Sequence, residues 1–225
     1  MGFLNILKNK LTARKDYIEA RKIYNEFRDF TMISSGIYME NLMLAKKIKL
    51  IPGAIVECGV WRGGMSAGIA TILGNEREYF LYDSFEGLPE AKEIDGANAI
   101  DWQNNKTSSS YYDNCSAEID FAEKAMAIAN VKNVHIIKGW FNETLPKFPE
   151  QKIALLRLDG DWYESTMDCL NSLFDHVVEG GYIIFDDYYS WDGCTKALHD
   201  FLSSRKSATR IRQFNDSICY LIKNY

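Results

Sequence analysis

The sequence predicts an α/β protein: a seven-stranded, mostly parallel sheet with helices on both faces, finished by an antiparallel hairpin at the carboxyl end. Three observations carry this expectation. From Pro52 onward, short apolar runs alternate with helical patterns, as in a parallel sheet covered by crossover helices. The last two strand-like runs are separated by three residues, too few for a parallel crossover. The 225 residues are 47% hydrophobic and 25% charged, enough for one full core, which excludes disordered, collagen-like and small disulfide-scaffold classes.

Residues 1–11 have only a short apolar run and no small-residue cleavage site, so they do not read as a signal peptide. Gly2 resembles a myristoylation start, but Ile6 stands where Ser or Thr is wanted. Between residues 15 and 30, Tyr17, Ala20, Tyr24 and Phe27 recur at the three- and four-residue steps of an amphipathic helix. A second helix is expected from Ser35, carrying Met39, Leu42, Met43 and Ile48 and stopped by Pro52-Gly53. Residues 1–50 are therefore expected to form a helical appendage or lid, and residues 51–225 the main domain.

Within that domain, strands are expected at residues 54–58, 79–83, 135–138, 153–159 and 182–186. Crossover helices are expected near 64–73, 117–129, 164–178 and 193–204. Residues 209–214 and 218–223 flank Asn215-Asp216-Ser217 as the hairpin. Residues 94–114 are rich in Asn, Asp, Ser and Gly without a period, and read either as a functional lid loop or as disorder. No apolar run approaches the roughly 18–20 residues that span a bilayer, so no membrane span is expected.

With 26 Lys and Arg against 31 Asp and Glu, the chain carries a net charge of −5. That balance repels polyanions, so nucleic acid is not an expected partner. The cysteines Cys58, Cys115, Cys169, Cys194 and Cys219 are widely spaced with no C-x-x-C pair, and read as reduced thiols of a cytoplasmic protein. A homo-oligomer is left open.

The first strand runs into Glu57-Cys58-Gly59-Val60-Trp61-Arg62-Gly63-Gly64-Met65-Ser66. A glycine-rich turn between strand and helix lets a ligand approach the backbone and the amides of the helix start. Its G-x-x-x-G-G spacing is not the G-x-G-x-x-G of dinucleotide sites, and a plain connection reads equally well. Asp83 ends the second strand, placed either to accept hydrogen bonds from two ribose hydroxyls or, with Ser84, to cap a helix. Asp159, Asp161, Asp186 and Asp187 follow two further strands, so all four carboxylates are expected at the carboxyl edge of the sheet. Such crowding is costly without a cation, and oxygen donors suit Mg²⁺ first, with Mn²⁺ or Ca²⁺ as alternatives; solvated turns are the bland reading. Trp140 and Phe141 fit core aromatics and adenine stacking equally well. His135, His176 and His199 share no ligand spacing, and Ser66 and Ser165 lack a His-Asp arrangement.

Ile51-Pro52-Gly53, the Glu57–Gly64 turn, Asp83-Ser84-Phe85-Glu86-Gly87-Leu88-Pro89, Lys138-Gly139-Trp140-Phe141, Leu158-Asp159-Gly160-Asp161 and Trp191-Asp192-Gly193-Cys194 resemble, in order and spacing, the macrocin-type O-methyltransferases over residues 33–201. The resemblance implies a Rossmann-like class I S-adenosylmethionine methyltransferase over residues 51–225, acting on a sugar hydroxyl of a small natural-product glycoside or other saccharide with bound Mg²⁺. It further implies Asp159, Asp186 and Asp187 as metal ligands and Asp161 as the catalytic base. Glu57, Gly59, Arg62, Gly63, Ser66, Asp83 and Trp140 would line the S-adenosylmethionine site. Residues 94–114, the amino-terminal segment and Thr195, where the family commonly has Arg, depart from the pattern and bear on the acceptor. The alternatives are methylation of a catechol-like diol, a nicotinamide-dependent oxidoreductase, which the glycine spacing disfavours, and a non-catalytic binding module.

Overall fold

The computed structural model describes residues 3–214 and 217–224. It opens with α1 (Phe3–Phe27), where Ala20, Ile23 and Phe27 are buried at helical spacing. In α2 (Ser35–Ala45) the Ser34 hydroxyl accepts from the Ile37 amide at the amino end. The main domain then runs β1 (Ala54–Cys58), α3 (Gly64–Leu73), β2 (Glu78–Asp83), α4 (Ala97–Asn104), α5 (Ile119–Ile128) and β3 (Asn133–Lys138). It continues with α6 (Phe141–Thr144), β4 (Ile153–Leu158), α7 (Tyr163–Leu173), β5 (Val177–Phe185), α8 (Asp192–Ser204), β6 (Arg212–Phe214) and β7 (Ile218–Ile222).

Among the described residues the strands form one seven-stranded sheet in the order β3-β2-β1-β4-β5-β7-β6. β3, β2, β1, β4 and β5 pair in parallel, while β7 runs antiparallel to both β5 and β6, as expected. The chain order reverses between β1 and β4, and a sheet that winds both ways opens a crevice at the carboxyl ends of those strands. β1 and β4 are buried along their whole length, as central parallel strands covered on both faces should be. Alternate residues sort onto the two faces. Ile55, Tyr79, Leu81, Leu155 and Ile184 join a core with α1, α2, α3 and α5, so the amino-terminal helices share the core of the main domain. Val56, Phe80, Leu156, Ile183 and Phe185 pack on the other face against α7 and α8.

The structure departs from the sequence expectation in several places, among them the strand expected over 209–214, which is confined to Arg212–Phe214. Residues 94–114 hold a helix, α4, flanked by 3-10 turns at Glu93–Asp95 and Asp113–Cys115. Side-chain amides knit this segment: Gln103 Nε2 donates to the Pro89 carbonyl and to Asn114 Oδ1, each at 2.9 Å. Helix α4 buries only Ala99, too little for an apolar stripe to be read. The helix expected to reach residue 178 ends at Leu173, and β5 begins at Val177, its strand pattern interrupted by Gly180-Gly181. The strand expected through Asp159 stops at Leu158, and α6 follows Trp140 unannounced. Met1 and Gly2 of the amino-terminal reading, and Asn215 and Asp216 of the hairpin turn, lie outside the described residues. No helix among the described residues is long and apolar enough to cross a membrane.

Candidate active site

At the carboxyl ends of β1, β2, β4 and β5 lies a cavity of about 500 Å³. Its floor is the glycine-rich turn. Gly59 has φ 88°, and a Cβ there would meet the Asp159 carbonyl oxygen at 1.7 Å, so only glycine lets the ends of β1 and β4 touch. Asp83 holds the turn: its Oδ2 accepts from the Val60 and Trp61 amides at 2.7 and 2.8 Å, and its Oδ1 from the Phe85 amide at 2.7 Å. Burial pushes the Asp83 carboxyl up, against the pull of these three N–H donors.

Set into the cavity wall beside this turn is an ionic cluster built around one buried arginine. Glu57 and Arg157 face each other in the β1–β4 register and are almost wholly removed from solvent. Arg157 Nη1 donates to Glu57 Oε1 at 2.6 Å and to Asp159 Oδ2 at 2.8 Å. Its Nη2 makes an ion-pair contact of 2.6 Å with Asp186 Oδ1, and its Nε donates to Asn41 Oδ1 at 3.4 Å. The Ser66 hydroxyl donates to the second oxygen of Glu57.

Asp159, Asp161 and Asp187 each bring a carboxylate oxygen to within 4.8 Å of the other two. The strand ends before Asp159, so strand alternation does not bring Asp161 beside it. A tight turn does: Asp161 has φ 57° and its amide donates to Asp187 Oδ2 at 3.0 Å. The Trp191 indole Nε1 donates to Asp161 Oδ1 at 2.8 Å. Trp191 is itself set edge-on against Trp162 and against Trp102 of α4, at centroid distances of 5.2 and 6.0 Å. Burial and the neighbouring carboxylates push Asp159 and Asp187 well above the usual carboxylate range, with Arg157 opposing the rise at Asp159. Burial likewise carries Asp161 up to about 7, against the Trp191 hydrogen bond. Oxygen donors converging where burial and repulsion penalise their charge are a donor set that fits a hard divalent cation.

Of the residues expected in the site, Glu57, Gly59, Asp83, Trp140, Asp159, Asp186 and Asp187 line the cavity. Asp161, expected as the base, stands in the carboxylate group with Asp159 and Asp187, while Asp186, expected as a third ligand, is outside that group with its Oδ1 on Arg157. Arg62, Gly63 and Ser66 lie behind the wall. The Arg62 guanidinium sits between the Trp61 and Phe121 rings, 4.3 and 4.5 Å from their centroids. Gly63 packs against Ala122 of α5, and the Ser66 hydroxyl is turned to Glu57. Sequence reasoning missed Arg157, Asn41 and the part played by Trp191. A charge within the apolar run 153–158 was the available signal for Arg157, since a buried charge needs partners. It also missed Glu143, Glu164 and Asp168 on the cavity wall, where the described lining contains no Lys, Arg or His.

Residues 16–223 match the model of the Macrocin-O-methyltransferase (TylF) family. The chain is 35% identical over 206 residues to a demethyldecarbamoylnovobiocin O-methyltransferase of Streptomyces niveus, covering 84% of this chain and 76% of that protein. It is 33% identical over 168 residues to an 8-demethyl-8-(2,3-dimethoxy-alpha-L-rhamnosyl)-tetracenomycin-C 4'-O-methyltransferase of Streptomyces olivaceus, covering 67% of this chain. The match spans 58% of that relative's length. Among solved structures, the O-methyltransferase NovP superimposes with a TM-score of 0.71 at 28% identity, covering 91% of this chain and 88% of that one.

Proposed function

The chain belongs to the Macrocin-O-methyltransferase (TylF) family, and from that premise we propose that it transfers a methyl group from S-adenosylmethionine to a hydroxyl of a sugar, on a natural-product glycoside or another saccharide, with the help of Mg²⁺. The observation that carries this reading is one cavity in which a glycine-rich strand-to-helix turn, gripped by Asp83, stands beside the convergent carboxylates of Asp159, Asp161 and Asp187. The relatives named above methylate hydroxyls of natural products, one of them bearing a rhamnosyl sugar.

Residues 51–225 are the class I methyltransferase domain in this reading. Residues 1–50 act as its lid, since Phe30, Ile33 and Ile37 wall the cavity from that side. Glu57, Gly59, Asp83 and Trp140 face the cofactor. Bound S-adenosylmethionine supplies an electrophilic methyl group, which favours the acidic lining. Asp159 and Asp187 would hold the divalent ion, with Asp186 beside them through the oxygen that Arg157 does not take. When bound, the ion makes a chelated hydroxyl more acidic and fixes its position. Asp161 takes the proton at Oδ2, because Trp191 occupies Oδ1. The cavity walls would keep an acceptor hydroxyl beside the methyl donor and shield the pair from water. With carboxylates along the sheet edge and no cationic side chain among the described lining residues, the cavity suits a neutral or cationic acceptor over a polyanion.

Thermal melting with cofactor candidates tests the reading. S-adenosylhomocysteine at a hundredfold excess over its Kd stabilises the native state by about 2.7 kcal/mol, which for a chain of this size raises Tm by roughly 5–10 °C. NAD leaves Tm unchanged. A shift with NAD alone would overturn the methyltransferase reading.

A further inference from the structure

Arg157 is the penultimate residue of an otherwise apolar central strand and has no exposed surface. Removing a guanidinium from water is expensive, and an aliphatic side chain would fill the same strand position at lower cost. Every group that matches its charge belongs to the carboxyl edge of the sheet: Glu57 from β1, Asp159 just beyond β4 and Asp186 just beyond β5. Asn41 of α2 closes the fourth side, accepting from Nε while its own amide donates to the Ile37 carbonyl at 3.1 Å and to Asp186 Oδ1 at 3.5 Å. One planar group thus ties three strand ends and the amino-terminal helices together. It takes a single oxygen from each aspartate, Oδ2 of Asp159 and Oδ1 of Asp186. A guanidinium fork fixes the direction of the carboxylates it binds, which a point charge such as an ammonium does not.

We propose that Arg157 is a positioning residue for the divalent ion, its fork turning the remaining oxygens of Asp159 and Asp186 toward the cavity. The proposal rests on the reading of the carboxylate group as a cation site. It assigns a task to the fork as distinct from the charge, and a lysine at this position separates the two.

The test is calorimetric titration of Mg²⁺, and of Mn²⁺ as a second probe, into wild-type protein and Arg157→Lys without acceptor. S-adenosylhomocysteine is titrated in parallel, and a melting curve is recorded for each protein. Losing the partner of a metal ligand weakens metal affinity by roughly 10- to 100-fold, and that loss is expected for Arg157→Lys although its charge is kept. S-adenosylhomocysteine affinity is expected to stay close to wild type, because Ser66 still holds Glu57. A lower Tm with unchanged metal affinity would make Arg157 a purely structural counter-ion and overturn the proposal. Wild-type protein that takes up S-adenosylhomocysteine but neither metal would overturn both the cation reading and this proposal, leaving the methyltransferase reading in place. Should Arg157→Lys not fold, Arg157→Gln, which keeps an N–H donor but has no guanidinium fork, carries the same comparison: a metal affinity weakened roughly 10-fold or more supports the proposal and an unchanged one overturns it.

Discussion

Asp161 occupies a left-handed turn in which backbone and side chain are both tied: its amide to Asp187, its Oδ1 to the Trp191 indole. Asp161→Asn keeps this shape but cannot accept a proton at neutral pH. Its kcat should fall by roughly 10²–10⁴, while calorimetric affinities for Mg²⁺ and S-adenosylhomocysteine change little; lost metal binding would make Asp161 a ligand. Asp159→Ala or Asp187→Ala should instead abolish Mg²⁺-dependent turnover and leave S-adenosylhomocysteine binding in place, which parallel titrations check. Trp191→Phe keeps the ring and removes the donor to Asp161, so its expected effect is a lower kcat with metal affinity preserved. The four aspartates were legible in the sequence because each follows an apolar run, and a strand end marks the sheet edge. Arg157 escaped because its partners are brought to it by sheet register and by α2, separations of up to 116 residues that no local motif records.

Among the elements, the glycine-rich turn and α4 set the geometry in different ways. The turn is steric. Replacing Gly59 with Ala adds strain on the order of 1–3 kcal/mol for its positive φ, plus a collision with the Asp159 carbonyl, so the urea midpoint should fall markedly and S-adenosylhomocysteine affinity with it. The effect of α4 is indirect, through Trp102 against Trp162 and Trp191. Trp102→Ala is expected to lower kcat by loosening Trp191 behind Asp161 while metal affinity holds, as paired turnover and titration data would show. Neither α4 nor the early start of β5 was legible. Helix α4 is short and buries a single alanine, and β5 passes through Gly180-Gly181, a pair that reads as a break until the sheet on either side restores the pairing.

At the scale of the whole molecule, the parallel strands joined by crossover helices and the antiparallel hairpin followed from apolar periodicity and connection length, which long-range packing did not override, whereas the order of the strands across the sheet is a finding of the structure. The same scale explains why the site lies where it does. The reversal of strand order between β1 and β4 opens the crevice, and the carboxylates that strand ends deliver there leave it acidic. The amino-terminal helices were expected as an appendage or lid; they share the core of one sheet face, and Phe30, Ile33 and Ile37 wall the cavity, contacts that sequence periodicity cannot locate. The central claim is methyl transfer at this acidic edge, and it is tested most directly by following labelled methyl from S-adenosylmethionine onto a panel of glycosides and catechols, with Mg²⁺ and in excess chelator. The account predicts label on a sugar hydroxyl of at least one glycoside with Mg²⁺, falling to background in chelator. Undiminished transfer in chelator, or no label on any acceptor while S-adenosylmethionine binds, would contradict it.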